Sequence, residues 1–248
     1  GRYGTEHGHR GGLSMRRRSK RYQECAKGFD PTKAYSLGEA VKILKRFPPA
    51  KFDESVELNV QLGIKPDEAN ESVRGTTTLP HGTGKKVRVL CFAKGEAHRA
   101  AEEAGADYVG SEDYVKKVEG GWLDFDAVVA HPDLMREISR LGKILGPRGL
   151  MPTPKTGTVT PDVGKAVREI KGGRVEFKSD KTGGLHALCG KRSFTEEALL
   201  GNAQAVLEAL SDAKPPAAKG DYFKRVHLSS TQGPGIKLRA TPTVVSEA

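Results

Sequence analysis

Leu141–Thr160, reading LGKILGPRGLMPTPKTGTVT, is rich in glycine and proline, cationic, and free of carboxylates. Pro147, Pro152 and Pro154 fix φ and remove backbone donors, whereas Gly142, Gly146, Gly149 and Gly157 tolerate conformations that other residues avoid. A long regular helix is therefore excluded. The expectation is a shaped loop carrying Lys143, Arg148 and Lys155, although composition alone also allows a plain solvated basic loop.

Upstream of this stretch strand and helix alternate. Val87–Phe92 is a short apolar run, Glu96–Ala104 a helix and Asp107–Val109 a strand; Asp126–Ala130 is another apolar run and Pro132–Arg140 another helix. That order predicts a parallel α/β unit. Further out the pattern changes class. Ser36 and Glu39 have capping-box spacing, and Leu37, Ala40, Val41 and Leu44 recur at helical intervals until Pro48 and Pro49. Val56, Leu58, Val60 and Leu62 then alternate with Glu57, Asn59 and Gln61, the period of a strand with one buried face. Near the other end, Ser193 and Glu196 predict a second capping box before Ala198, Leu199, Ala203, Val206, Leu207 and Leu210. Tyr222–Ser229 and Ile236–Arg239 read as short strands. Both ends are thus α+β material, but periodicity does not show that they pair.

With Lys+Arg at 41 against Asp+Glu at 31, the 248-residue chain carries a net charge of +10 and a pI of about 9.5. A polyanionic partner is expected. No run of about 18 apolar residues exists, so a membrane is not expected as a partner. Cys25, Cys91 and Cys189 lie far apart and form no CxxC pair, which argues against a zinc site or a disulfide framework; no cofactor or metal is expected. The first fourteen residues, GRYGTEHGHRGGLS, predict a disordered leader spanning 1–15, with His7 and His9 in a flexible tail. Arg16 to Lys27 holds six cations and one carboxylate, Glu24. This arm should lie against phosphate or remain loose without it.

An enzyme is the competing class, because parallel α/β units often bind nucleotides. The phosphate motifs do not hold. HGTGKK at His81–Lys86 lacks the Ser or Thr after its lysine and is followed by a strand instead of a helix, and AKGEAHR has one glycine where a dinucleotide fingerprint needs three. Asp124 and Asp126 could form a carboxylate pair but read better as a solvated strand entrance. His98 and His131 read as structural.

Three segments combine charge with backbone shape in a way that suits RNA. In Lys51–Ser55 (KFDES), Lys51 can meet phosphate, Phe52 can pack on a ribose or base, and Glu54 and Ser55 can bond a 2′-hydroxyl; the alternative is a strand entrance with Phe52 in the core. In Arg174–His186, the residues Arg174, Glu176, Lys178, Lys181, Thr182, Gly183 and His186 are expected on two strands joined by a DKTGG turn, a basic hairpin. In Ser229–Gly235 (SSTQGPG), Ser229 and Thr231 offer hydroxyls, and Gly233 and Gly235 permit close backbone approach. An ordinary turn would look the same.

GPRGLMPTPKTGTV, with KFDESVEL near the front and SSTQGPG near the end, resembles the L-one family of large-subunit ribosomal proteins, of bacterial type, from about Met15 to Arg239. The resemblance implies two domains: an α/β, Rossmann-like domain at 83–173 inserted into a discontinuous α+β domain made of 16–82 and 174–248. The crossings are expected near Gly82 and Gly84 and near Gly172 and Gly173, as hinges. It also implies a non-enzymatic constituent of the large subunit that binds the ribosomal RNA of the mobile stalk. The residues matching that surface are Phe52, Glu54, Ser55, Glu176, Lys178, Lys181, Thr182, Gly183, Ser229, Thr231 and Gly233. Gln232 stands where the family usually has methionine, so a flexible apolar contact is replaced by an amide. The inserted domain is implied to reach the exit-site tRNA and assist release of deacylated tRNA, and the chain to repress translation of its own messenger RNA. The cationic loop suits either a tRNA contact or support of the hinge. The expected location is the ribosome of the cytoplasm, with an organellar ribosome as the other option. A free RNA-binding regulator is the alternative function.

Overall fold

The computed structural model describes residues 18–64, 72–216, 218 and 220–239. The expected leader, together with Arg16 and Arg17, lies outside them. The first described element is a short helix: α1 (Lys20–Lys27) starts on Ser19, whose Oγ accepts from Tyr22 N at 3.2 Å, and it buries Cys25. The basic arm is thus folded onto the protein over this part, because Arg21 and Cys25 find partners in the core.

The α+β part is built on one strand. In β1 (Ser55–Leu62) the apolar set Val56, Leu58, Val60 and Leu62 is buried while Ser55, Glu57, Asn59 and Gln61 face outward. Each such buried side chain contributes about 1.5–3 kcal/mol relative to exposure. Helix α2 (Leu37–Arg46) lays Leu37, Ala40, Val41 and Leu44 on that core, and the expected capping box is present: Ser36 Oγ accepts from Glu39 N at 3.3 Å, and Glu39 Oε2 from Ser36 N at 3.0 Å. A second, two-stranded antiparallel sheet starts with β2 (Arg74–Thr78), which shows no apolar alternation and is not evident in the sequence.

The middle of the chain forms a parallel sheet. β3 (Val89–Phe92), α3 (Glu96–Glu103), β4 (Tyr108–Gly110), α4 (Glu112–Glu119) and β5 (Ala127–Ala130) give the strand order β4-β3-β5, all parallel. Leu90 and Phe92 pack with Val118, Ile138, Leu141 and Leu145 on one side. Val89 and Cys91 pack with Ala101, Val163, Ala166 and Val167 on the other. Burial on both faces explains why this strand reads as an unbroken apolar run. The expected helix at 132–140 is broken into a 3-10 turn at Pro132–Leu134, α5 (Met135–Ile138), a second 3-10 turn at Ser139–Leu141 and α6 (Gly142–Leu145). Helix α7 (Val163–Lys171) closes the unit, capped by Asp162 Oδ1 accepting from Lys165 N at 3.1 Å.

The chain then returns through β6 (Arg174–Lys178), β7 (Gly184–Lys191), α8 (Glu196–Asp212), β8 (Phe223–Ser230) and β9 (Ile236–Leu238). β7 and β8 flank β1, giving the antiparallel order β7-β1-β8-β9. This pairing of distant segments makes the two ends one body. β6 pairs with β2 and not with β7, so Arg174–His186 is no two-stranded hairpin; its strands belong to different sheets. The cap of α8 is Thr195, whose Oγ1 accepts from Ala198 N at 3.2 Å. Ser193 instead binds Asp53 through its N–H and hydroxyl, at 3.1 and 2.8 Å, because the helix begins too late for it to cap.

The two crossings between these bodies touch. Leu79 N donates to Gly173 O at 3.1 Å, and a Cβ on Gly173, at φ 99°, would come within 2.5 Å of Gly82 Cα. Gly82 and Gly84 also have positive φ, whereas Gly172 is an ordinary helical C-cap at φ −69°. Fully buried Asn202 of α8 ties the first crossing down: Oδ1 accepts from His81 N at 3.0 Å, and Nδ2 donates to Gly82 O and Cys189 O at 3.0 and 2.8 Å. Asn202→Ala, which strands these three backbone groups, is expected to lower stability by about 2–3 kcal/mol, read as a fall in the urea midpoint.

Candidate nucleic-acid interface

A buried carboxylate organises the first and last of the three expected segments. Glu54 is 1% exposed. Arg21 Nη2 donates to both of its oxygens at 2.7 Å, Arg192 Nη1 to Oε2 at 2.9 Å and Ser230 Oγ to Oε1 at 3.3 Å. Glu54 therefore has no face left for a ribose, and the expectation of a direct 2′-hydroxyl bond gives way to a positioning role. Burial pushes its carboxyl up, but hydrogen bonds and charge from Arg21 and Arg192 outweigh burial and hold it below its ordinary value. The same arginines bind the chain around it: Arg21 Nε reaches Pro48 O at 3.0 Å, Arg192 Nη1 the same oxygen at 3.2 Å, and Arg192 Nη2 reaches Phe47 O.

Directly after Glu54, the two segments are joined backbone to backbone. Thr231 N donates to Ser55 O at 3.0 Å, and Ser55 N to Thr231 Oγ1 at 2.9 Å. Lys191 Nζ donates to Ser55 Oγ at 2.9 Å. Gly233 sits where a Cβ would come within 2.5 Å of Ser230 Oγ, so a side chain there would disturb the turn. Lys51, Phe52 and Gln232 stand exposed beside this junction. Phe52, 49% exposed, is the one exposed large hydrophobic residue among the described residues. It does not enter the core.

The middle segment divides. Asp180 shapes the turn by accepting from Thr182 N, Thr182 Oγ1 and Gly184 N at 2.8, 2.8 and 2.7 Å, which leaves Lys181 exposed at its tip. Gly183, at φ 78°, is buried against Leu62 O, and Gln61 Nε2 donates to Thr182 O at 2.8 Å. This half shares the outward face of the four-stranded sheet with Ser229 and His186. The other half does not. Glu176 pairs with Arg74 at 2.6 Å, with exposed Lys178 beyond it, and Arg174 turns toward the α/β unit.

Six outward residues of that face were not marked by sequence reasoning: Asn59, Gln61, Lys191, Arg225, His227 and Lys237. Their signal is the strand period together with register, which aligns Asn59 with His186 and His227, and Gln61 with Gly184 and Arg225. The face is polar and mainly cationic, with Glu57 its one carboxylate on β1.

In the glycine-proline stretch, Lys143 and Arg148 are exposed, while the side chain of Lys155 lies outside the described residues. The Thr153–Thr158 end is docked. Arg174 donates through Nη2 to Thr156 O at 2.6 Å and Thr76 Oγ1 at 3.0 Å, and through Nη1 to Glu169 Oε2 at 2.8 Å. A cavity of about 270 Å³ lies beside this clasp, bordered by Lys85, Asp126, Met151 and Glu176. Asp126 is not simply solvated: the hydrogen bond from Lys85 leads in lowering its pKa to about 2, with Arg88 assisting, so it is not suited to general acid or base work. Arg88 also pairs with Asp124. Burial pushes the Cys91 and Cys189 thiols up to about 12, which removes them as nucleophiles.

Glu54→Ala, leaving Arg21 and Arg192 without their carboxylate, is expected to destabilise by about 3–5 kcal/mol in chemical denaturation. A depressed carboxyl contributes stability that is present above its ordinary value and lost as pH falls through the depressed one. Wild-type stability should therefore drop more steeply than that of the variant below about pH 4.

Residues 44–234 match the model of the Ribosomal protein L1p/L10e family. The chain is 55% identical over 224 residues to the large ribosomal subunit protein uL1 of Kosmotoga olearia, covering 90% of this chain and 97% of that protein. It is 54% identical over 224 residues to the large ribosomal subunit protein uL1 of Protochlamydia amoebophila, covering 90% and 95%. With most of its length matched on both measures, this chain belongs to the ribosomal protein L1p/L10e family.

Proposed function

We propose that this chain is a non-enzymatic constituent of the large ribosomal subunit that binds the ribosomal RNA of the mobile stalk. The observation that carries this reading is the junction of Lys51–Ser55 with Ser229–Gly235. An aromatic ring held in solvent by a buried ion-pair network, beside hydroxyls and lysines fixed in place by the junction, is costly for a lone protein and useful against a ribose or an unstacked base. Phe52 is the stacking element, and Ser55, Ser229, Thr231 and Gly233 shape the contact. Lys51, Lys178, Lys181 and Lys191 supply phosphate contacts. Glu54 acts by holding the two segments in register.

The proposed domain boundaries are 16–82 with 174–248 for the RNA-binding body and 83–173 for the inserted one, with Gly82, Gly84 and Gly173 as the joints between them. The exposed Lys143 and Arg148 then suit a backbone contact with exit-site tRNA, in support of release of deacylated tRNA. Repression of its own messenger RNA would use the same sheet face, since one preorganised surface recognises one RNA shape. The place of action is the cytoplasmic ribosome. Among the described residues no helix is long and apolar enough to cross a membrane.

Phe52→Ala is expected to weaken binding to a stalk ribosomal RNA fragment by about 1–3 kcal/mol, the usual range for loss of a base-stacking aromatic. Thr231→Ala should weaken it by about 1 kcal/mol through loss of a hydrogen bond that shapes the junction. Unchanged affinity in both variants, measured by filter binding, would show that the surface is misassigned. Across a salt series, preference for the stalk RNA over an unrelated duplex should persist while both affinities fall log-linearly. Equal, steeply salt-sensitive binding to the two RNAs would defeat the reading.

A further inference from the structure

The outward face of the four-stranded sheet contains a groove of about 350 Å³ bordered by Asn59, Thr182, His186, Arg225 and His227. Register places His186, Asn59 and His227 in one row across three strands, and Lys237 extends the row onto β9. The amide of Asn59 is oriented by its partners: Nδ2 donates to Ser229 Oγ at 2.8 Å, so Oδ1 faces His186 Nδ1 at 2.6 Å and accepts its proton. With Nδ1 donating, Nε2 is the acceptor nitrogen of the ring.

His227 is half-buried, with Lys237 opposite it and Arg225 two residues along its own strand. Burial, with the charges of Lys237 and Arg225, lowers its pKa, so the free protein carries it neutral at neutral pH. Two carboxylates face the groove region. Asp180, on the turn, borders the groove and interacts electrostatically with His186, although its Oδ1 already accepts three hydrogen bonds, and Glu57, on β1, lies opposite Ser229, two residues from Asn59. Neither opposes Lys237 or Arg225 in an ion pair among the described residues.

We propose that this groove seats one phosphodiester of the bound RNA between His186 and His227, and that its hold tightens as His227 takes up a proton. The proposal rests on the RNA-binding reading above and adds a site and a proton linkage to it. A phosphate placed here screens Arg225 and Lys237, the cations that oppose protonation of His227, and attracts the imidazolium form itself. The complex then binds more protons than the free protein, so affinity rises as pH falls through the interval between the free and bound pKa values. Lysine and arginine contacts alone carry no such dependence, because they stay charged throughout that range.

The test is binding of the full chain to a stalk ribosomal RNA fragment at about pH 5.5 and about pH 7.5, the range in which histidine titrates. The proteins compared are wild type, the His186→Gln/His227→Gln double variant, and His98→Gln as a control histidine on α3. Wild type and His98→Gln should bind several-fold tighter in acid, the direction required when the complex holds more protons than the free protein. The double variant should lose most of that ratio. Independently of any variant, the wild-type salt slope should steepen in acid by about one added phosphate contact. Equal wild-type affinity at both pH values, or a full pH response in the double variant, overturns the groove while leaving the RNA reading intact. Absence of preference for stalk RNA over an unrelated duplex at both pH values overturns the reading beneath it.

Discussion

Burying Glu54 with no solvent contact is the constraint on which the candidate interface depends. A carboxylate there is tolerable only because Arg21 and Arg192 converge on it, and those arginines come from α1 and from the turn that follows β7. Three distant segments thus become mutually required. Once they meet, the leftover guanidinium donors fall on Pro48 O and Phe47 O, fixing the approach to Lys51–Ser55. Phe52 is exposed as a consequence: the residues after it are anchored, Asp53 to Ser193 and Glu54 to its arginines, and the ring is left pointing away from a core that Phe47 already fills. The exposed aromatic is in this sense made by the buried charge.

A different economy governs the join between the α+β body and the parallel sheet. Only two backbone crossings link them, and these approach so closely that a Cβ on Gly173 would meet the backbone of Gly82. Asn202 makes the first crossing part of the core of α8, while Arg174 binds the second to the Thr153–Thr158 end of the glycine-proline stretch. The carbonyl of Thr156 is available to Arg174 because Gly157 takes a left-handed φ of 64°, and a Cβ there would meet the guanidinium at 2.7 Å. The residues that made this stretch conspicuous in sequence therefore have a local purpose at one end, while Lys143 and Arg148 toward the other end are exposed.

How much could be read in advance depends on the range of the interaction concerned. α2 was legible because its capping box and apolar spacing lie within one turn of the chain, and β1 because alternation is local. Helix α7 carried the same kind of signal, with Val163, Ala166, Val167 and Ile170 at helical spacing after Asp162, yet it lay among glycines and lysines that masked it. β2 had no signal of its own, since its burial is decided by β6, nearly a hundred residues later. The site divides in the same way. Phe52 and the turn at Ser229–Gly235 were visible as motifs, whereas the burial of Glu54 depended on partners 33 and 138 residues away. Asn59, Arg225 and His227 became neighbours only through strand register, which no single segment encodes.

The charge of the chain also changes meaning once it is folded. A net charge of +10 suggests a generally cationic particle. Many of its cations, however, are engaged inside the molecule: Arg21 and Arg192 with Glu54, Arg74 with Glu176, Lys85 and Arg88 with Asp126, Lys171 with Asp107, and Arg174 with Glu169. These pairs orient segments and offer little to a phosphate. The lysines and arginine that remain on the sheet face and its turn, Lys51, Lys181, Lys191, Arg225 and Lys237, surround hydroxyls, amides and one aromatic ring. A surface with few phosphate contacts gains limited affinity from counterion release, so discrimination has to come from the fixed geometry between them. That geometry is set by the buried arginines, which is why the cations least able to touch RNA matter most to how it would be recognised.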